Sequence, residues 1–86
     1  MDKKHLIKRL KIIGGQIKGI EKMIEQDKYC VDIIVQTLAV KEALSSVGNA
    51  VFENHLSSHV VQQMKSGEQA KAIREILFIH KLSNNK

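Results

Sequence analysis

Residues 29–64 form a stretch rich in Val, Ile, Leu and Ala that contains no proline and a single glycine, Gly48. This composition favours one long helix, because proline and glycine are the residues that most often end helices. The β-branched run at 31–35 could also form a strand, but no neighbouring segment offers a pairing strand or a hairpin turn. Such a helix would be about 50 Å long, whereas a compact chain of 86 residues has a radius of gyration of about 12 Å. The segment therefore predicts self-association, most simply as an antiparallel dimer or a larger bundle.

Two further helices are predicted on either side of this segment. Before it, apolar residues recur at alternating three- and four-residue steps, which is the pattern of a heptad seam. The residues of this seam are Leu6, Leu10, Ile13, Ile17, Ile20 and Ile24. After the long segment, Ser66 and Gly67 interrupt the pattern, and Ser66 is a candidate N-cap for the last helix. The sequence predicts an all-α fold with a three-helix protomer, a single domain over 1–86, and helices at about 3–25, 29–64 and 67–82.

Composition excludes several classes of protein. The chain has a formal net charge of +5, 43% hydrophobic residues and one cysteine, Cys30, so it cannot form an intrachain disulfide and is expected to be folded. No apolar run approaches the roughly 18 residues of a membrane-spanning helix, and no contact with a membrane is expected. A lone thiol without a signal-peptide pattern predicts a cytoplasmic protein. Neither a nucleophile elbow nor a glycine-rich phosphate loop is present, so we expect neither an enzyme nor a small organic substrate.

A line of basic residues on the first helix predicts an anionic partner, and double-stranded DNA is the first candidate. Several contacts between lysines and phosphates would give a salt-sensitive affinity that is independent of DNA sequence. No helix-turn-helix, zinc-finger or aromatic RNA motif is visible, so the DNA contact would use an unfamiliar surface. The alternative is a charged helix face that is simply solvated. The basic residues assigned to the DNA contact are Lys4, Lys8, Arg9, Lys11 and Lys18.

Cys30, His55 and His59 are candidate metal ligands on the second helix. At about 100° per residue, both histidines project within about 20° of the direction of Cys30. Cys30 and His55 would nevertheless be about 37 Å apart along one helix, so a shared ion requires Cys30 of one chain and the histidines of an antiparallel partner. One thiolate with two imidazoles suits Cu(I), Zn(II), Ni(II) or Co(II). The alternative is a buried cysteine with two surface histidines and no metal.

Three motifs together resemble the copper-sensitive operon repressor (CsoR) family, which includes the RcnR and FrmR branches. They are the run RLKIIGGQIKGI at residues 9–20, the pair Tyr29-Cys30, and the triplet Asn54-His55-Leu56. The resemblance covers essentially the whole chain. It implies helical dimers that pair into disc-like tetramers, hold operator DNA without metal, and release the DNA when metal binds, so that efflux genes are expressed. It also implies that Cys30 of one subunit meets His55 and His59 of another, and it adds Gln16 to the DNA-binding surface.

Individual positions distinguish the branches of the family. Tyr29 and Glu75 match residues of the copper-sensing branch that link the metal-bound histidine to the allosteric change. His59 stands where the commonest copper sensors have a second cysteine, and an imidazole there makes Zn(II), Ni(II) or Co(II) more acceptable. His5 does not align with the additional N-terminal histidine of the nickel/cobalt branch. The formaldehyde branch requires a proline in place of Asp2, and the persulfide branch requires two cysteines.

These observations predict a cytoplasmic, metal-responsive transcriptional repressor that senses Cu(I) and works as a homodimer or homotetramer. The first alternative is a Ni(II)- or Co(II)-sensing repressor of the same family. An alternative from another class is a metal-storage or metal-transfer protein, which would not need the basic face. A third alternative is a helical interaction module without a metal.

Overall fold

The computed structural model describes residues 1–83 and consists of helices joined by two short turns. The helices are α1 (Lys3–Glu25), α2 (Cys30–Asn54), a π-helix (His55–Val60), α3 (Val61–Lys65) and α4 (Gln69–Ser83). The second, third and fourth follow one another without a turn, so the middle of the chain is one uninterrupted helical stretch. The described residues contain no strand, and the predicted all-α class is confirmed. No helix among them is long and apolar enough to cross a membrane.

Contacts divide the chain into two compact units, Met1–Val51 (unit 1) and a second unit that begins at Phe52 (unit 2). Unit 1 contains α1 and most of α2, and unit 2 contains the π-helix, α3 and α4. The prediction of a single domain also includes residues 84–86, which lie outside the described part of the chain.

The core of unit 1 is one line of contact between α1 and α2. Leu6 and Ile13 of α1 and Val40 and Val47 of α2 are buried, and the partly buried Ile20 packs against them. The buried residues are seven positions apart on each helix, which is two helical turns, so each pair lies on one line of its helix. The rest of the predicted seam is exposed, because α1 has only one neighbouring helix within unit 1. Leu10, Ile17 and Ile24 accordingly keep 43%, 51% and 59% of their surface accessible.

The turn between α1 and α2 ends the first helix with a Schellman motif. The N–H of Lys28 donates to the carbonyl of Met23 (2.9 Å), and the N–H of Asp27 donates to the carbonyl of Ile24 (3.1 Å). These two bonds satisfy carbonyls that the end of the helix would otherwise leave free. The motif requires a left-handed residue, and Asp27 adopts a φ of +51°.

The turn between α3 and α4 has the same form, with Gly67 in the left-handed position at a φ of +84°. The N–H of Glu68 donates to the carbonyl of Gln63 at 2.7 Å. Ser66 therefore closes α3, and the prediction that it caps the N-terminus of the last helix is wrong. The physical reason is that α4 begins only at Gln69, while the hydroxyl of Ser66 donates backwards to the Gln63 carbonyl (3.1 Å).

Replacing Gly67 by alanine should lower the free energy of unfolding by about 1 kcal/mol, because an L side chain is strained at this φ. A Cβ at Gly67 meets no atom of a more distant residue within 4 Å, so the cost is that of the backbone alone. Asp27→Gly makes the opposite exchange in the first turn and should raise the free energy of unfolding by about 0.5 kcal/mol. Urea unfolding at one fixed protein concentration measures both changes. An unchanged or higher stability of Gly67→Ala would contradict the left-handed turn.

Candidate functional site

His55 and His59 lie together in the π-helix of unit 2. Their ring centroids are 5.4 Å apart and the ring planes differ by 25°, so the imidazoles are stacked. His55 is partly buried and His59 is exposed. The structure thus brings this pair together, although not on the regular α-helix that the spacing predicted. In a π-helix each amide donates to the carbonyl five residues earlier, and such turns are frequent at functional sites.

Two serine hydroxyls bond to the backbone at the point where the helix changes type. Ser57 Oγ donates to the carbonyl of Asn54 at 3.2 Å, and Ser58 Oγ donates to the same carbonyl at 2.6 Å. In an α-helix this carbonyl would accept the backbone N–H of Ser58. Hydroxyls that bond to the preceding turn compete with the backbone and distort helices.

Glu75 reaches the histidine pair from α4. Its Oε2 lies 3.4 Å from Nε2 of His55. That nitrogen is buried and has no hydrogen-bond partner, so Glu75 approaches it closely without forming a hydrogen bond. A metal-binding imidazole commonly directs its second nitrogen at a carboxylate, which fixes the ring orientation. Helical periodicity alone would make Glu75 an ordinary surface glutamate, and only the family resemblance singled it out.

Cys30 is the first residue of α2, and its thiol is free and exposed. Tyr29 precedes it, keeps 70% of its surface accessible, and accepts the N–H groups of Asp32 (3.0 Å) and Ile33 (3.2 Å) on its carbonyl. The backbone of Tyr29 therefore begins the helix, while its side chain extends into solvent. Both residues belong to unit 1, whereas the histidines belong to unit 2.

The candidate metal ligands do not form a complete site within the described part of one chain. Within residues 1–83, no group of three or more His, Cys, Asp or Glu side chains converges in a way that could hold a metal ion. The donor types are nevertheless those of a soft or borderline metal site, with one thiol and two imidazoles. His55 fits such a site in a further respect, since Glu75 faces its Nε2 and leaves Nδ1 as the nitrogen for an ion.

The predicted DNA-binding residues lie on α1 in unit 1. Arg9 differs from the others because it is partly buried and donates from Nη2 to Ser46 Oγ at 2.5 Å, which ties α1 to α2. Arg9 and Gln16 line the same groove of about 150 Å³ together with apolar residues of both helices. Sequence reasoning missed Ser46, since no spacing rule predicts a contact between residues so far apart in the chain. The exposed lysines of this surface are Lys4, Lys8, Lys11 and Lys18.

Charge is unevenly distributed along α1. The acidic residues of this helix, Glu21 and Glu25, lie in its C-terminal part, where they line an open groove with Lys18 and Lys22. The N-terminal half contains basic residues and no acidic ones after Asp2, which caps the helix by accepting the N–H of His5. The positive potential is therefore concentrated in the first half of α1.

The chain is similar to known regulators over most of its length. Residues 2–81 match the family model of the metal-sensitive transcriptional repressors. The copper-sensing transcriptional repressor CsoR of Bacillus subtilis is 42% identical over 80 residues, which are 93% of this chain and 79% of that protein. The copper-sensing transcriptional repressor RicR of Mycobacterium tuberculosis is 43% identical over 65 residues, or 76% of this chain and 68% of that protein. The crystal structure of the copper-sensing repressor CsoR with Cu(I) from Geobacillus thermodenitrificans NG80-2 has a TM-score of 0.89 and 35% identity, and covers 95% of this chain and 85% of that chain.

Proposed function

Because this chain belongs to the metal-sensitive transcriptional repressor family, we propose that it is a Cu(I)-sensing repressor that binds operator DNA without metal and releases the DNA when Cu(I) binds. The expectation that the chain is not an enzyme is confirmed by its membership of a repressor family. Relatives named as copper sensors, and a related repressor solved with Cu(I), favour copper over other metals. Those relatives are bacterial, and the proposed location of this repressor is the cytoplasm, where bacterial DNA lies.

The observation that carries the proposal is the group formed by His55, His59 and Glu75. We propose that both histidines bind the metal and that Glu75 holds the ring of His55 through its Nε2. Cys30 of another subunit supplies the thiolate, which makes the site soft enough for Cu(I) and unsuitable for Mg(II) or Ca(II). Tyr29, next to Cys30 in sequence, would belong to the same shared site.

The proposal requires at least two copies of the chain. Residues 1–83 of one chain form no complete group of ligands, and the free thiol of Cys30 is accessible to a partner. The exposed half of the α1 seam offers apolar surface that an antiparallel partner could cover. A dimer with two-fold symmetry would contain two identical sites, and pairing of dimers would give the proposed tetramer. In this assembly the chain acts as one domain.

Sensing of Ni(II) or Co(II) is the second candidate function. It is favoured by the stacked imidazoles of His55 and His59, because two nitrogen donors with one sulfur suit borderline metals better than a site with two thiolates does. A Zn(II) site would use the same donors.

The proposed operator-binding surface is the basic face of α1, with its strongest potential in the first half of the helix. Its exposed lysines can contact phosphates directly. The guanidinium of Arg9 is oriented by its hydrogen bond to Ser46 before any DNA binds. The full set of proposed DNA-binding residues is Lys4, Lys8, Arg9, Lys11, Gln16 and Lys18.

Lys8→Ala should weaken operator binding and reduce the slope of log affinity against log salt by about 0.9 if Lys8 contacts one phosphate. Lys18→Ala should act in the same direction. Arg9→Ala should also weaken binding, but it removes the bond to Ser46, so Lys8 is the cleaner probe. Fluorescence anisotropy with operator DNA at several salt concentrations measures the slope.

The matched control for Lys8→Ala is Lys71→Ala on α4, which changes the net charge equally and lies outside the proposed surface. The control should keep the slope of the unmodified protein. If Lys8→Ala and Lys18→Ala keep that slope as well, another surface binds the DNA.

Glu75→Ala should separate metal binding from the response to metal. The ligands remain, so the affinity for Cu(I) should fall by about 10- to 100-fold at most. Release of DNA depends on a coupling free energy, typically about 1–3 kcal/mol, and we expect much of it to be lost without the carboxylate beside His55. The variant should therefore keep its operator when loaded with Cu(I), and Tyr29→Phe should show a milder form of this defect.

The measurement is the operator affinity of each variant, without metal and with Cu(I) at saturation. Glu68→Ala serves as the control, since it removes an exposed carboxylate from the same unit. If Glu75→Ala releases the operator as fully as the unmodified protein does, Glu75 has no part in the response.

A further inference from the structure

We infer that Ser57 and Ser58 are positioning residues for the histidine pair, because their hydroxyls hold the π-helix in which His55 and His59 lie. The inference rests on the proposed metal site and names two residues that would determine its geometry. Neither serine would itself contact the ion. Their effect would pass through the backbone carbonyl of Asn54.

The first step is the competition for this carbonyl. Ser58 Oγ lies 2.6 Å from the Asn54 oxygen, which is at the short end of the range for a hydroxyl donor. Ser57 Oγ adds a second bond at 3.2 Å. An α-helical turn would need the same oxygen for the N–H of Ser58. With two hydroxyls on the acceptor, the backbone can instead widen to the π pattern, in which the amide of His59 becomes the partner of this carbonyl.

Two single hydroxyl bonds of this kind elsewhere in residues 1–83 occur in regular α-helix. Thr37 Oγ1 donates to the carbonyl of Ile33 at 2.9 Å, and Ser83 Oγ donates to the carbonyl of Ile79 at 3.0 Å. Both bonds span four residues, as the bond of Ser58 does, and both lie in regular α-helix. The Asn54 carbonyl differs from those of Ile33 and Ile79 because it accepts a second hydroxyl, and it lies directly before the π-helix.

The second step is the effect on the rings. In an α-helix, a residue is rotated about the helix axis by about 40° more than one full turn relative to the residue four positions earlier. A π turn contains more residues per turn, so this excess rotation is smaller. The helix type therefore determines the rotation of His59 relative to His55. Glu75 lies beside the first ring, whereas the second ring is exposed, and its orientation depends on the backbone that carries it. The stacking at 5.4 Å and 25° is observed on this π-helical backbone.

The test is the double variant Ser57→Ala, Ser58→Ala, with Ser58→Ala alone as a milder second variant. Alanine favours helix, so the expected change is in helix type and not in helix content. In the unmodified apo protein, NMR coupling through the hydrogen bond should connect the Asn54 carbonyl carbon with the amide nitrogen of His59. In the double variant this coupling should move to the amide nitrogen of residue 58, and the affinity for Cu(I) should fall by about 10-fold or more.

Two control variants test whether the effect depends on the hydroxyls beside Asn54. Ser83→Ala removes the comparable hydroxyl bond from α4 and should alter neither the coupling nor the affinity for Cu(I). Ser58→Thr keeps a hydroxyl at the same position and should retain both properties of the unmodified protein.

The inference is overturned if the double variant keeps the coupling between His59 and Asn54, or if it loses this coupling and still binds Cu(I) with unchanged affinity. Failure of the proposed function has a different signature. In that case His55→Ala would bind Cu(I) as tightly as the unmodified protein, whereas the coupling in the apo protein would still report whether the serines hold the π-helix.

Discussion

The proposed metal ligands belong to two different units of the chain, with Cys30 in unit 1 and His55 and His59 in unit 2, and the proposed site depends on this division. Cys30 is the first residue of α2, whereas His55 and His59 follow the last residue of this helix. Within the described residues no complete group of ligands forms. We propose that the remaining donor comes from a second copy of the chain, which would couple assembly to metal binding.

The same constraint links the site to the stability of the protein. Unit 1 buries one line of side chains between α1 and α2 and leaves the other half of the α1 seam exposed. A partner that covers this apolar surface would stabilise the helices and would also deliver the thiol of Cys30. Any ion held between subunits would then favour the assembled state by mass action. Within unit 2, Glu75 lies beside His55, and the hydroxyls of Ser57 and Ser58 donate to the Asn54 carbonyl next to the histidine pair.

Features set by local periodicity could be predicted from the sequence, and features set by competition or tertiary contact could not. The lack of proline and the apolar spacing were sufficient for an all-α fold. The same spacing could not predict that only half of the seam is buried. It shows which face of α1 is apolar, but not how many helices pack against that face. The pair Ser66-Gly67 is compatible with either the end or the start of a helix. The sequence therefore predicts Ser66 as the N-cap of the last helix, whereas it is the C-cap of α3. Periodicity could not predict the π-helix, which in our proposal depends on the hydroxyls that bond to the Asn54 carbonyl. It could not predict the bond from Arg9 to Ser46 either, because that bond depends on packing between helices.

The most direct test of a shared site is the Cu(I) stoichiometry of a mixed dimer made from a Cys30→Ala chain and a His55→Ala, His59→Ala chain. Two affinity tags allow the mixed species to be purified. If the ligands come from two chains, this dimer contains one intact site and one site without ligands, and it should bind half as much Cu(I) with high affinity as the unmodified protein. If the ligands came from a single chain, no intact site would remain. Absence of high-affinity Cu(I) binding in the mixed dimer would therefore contradict the account.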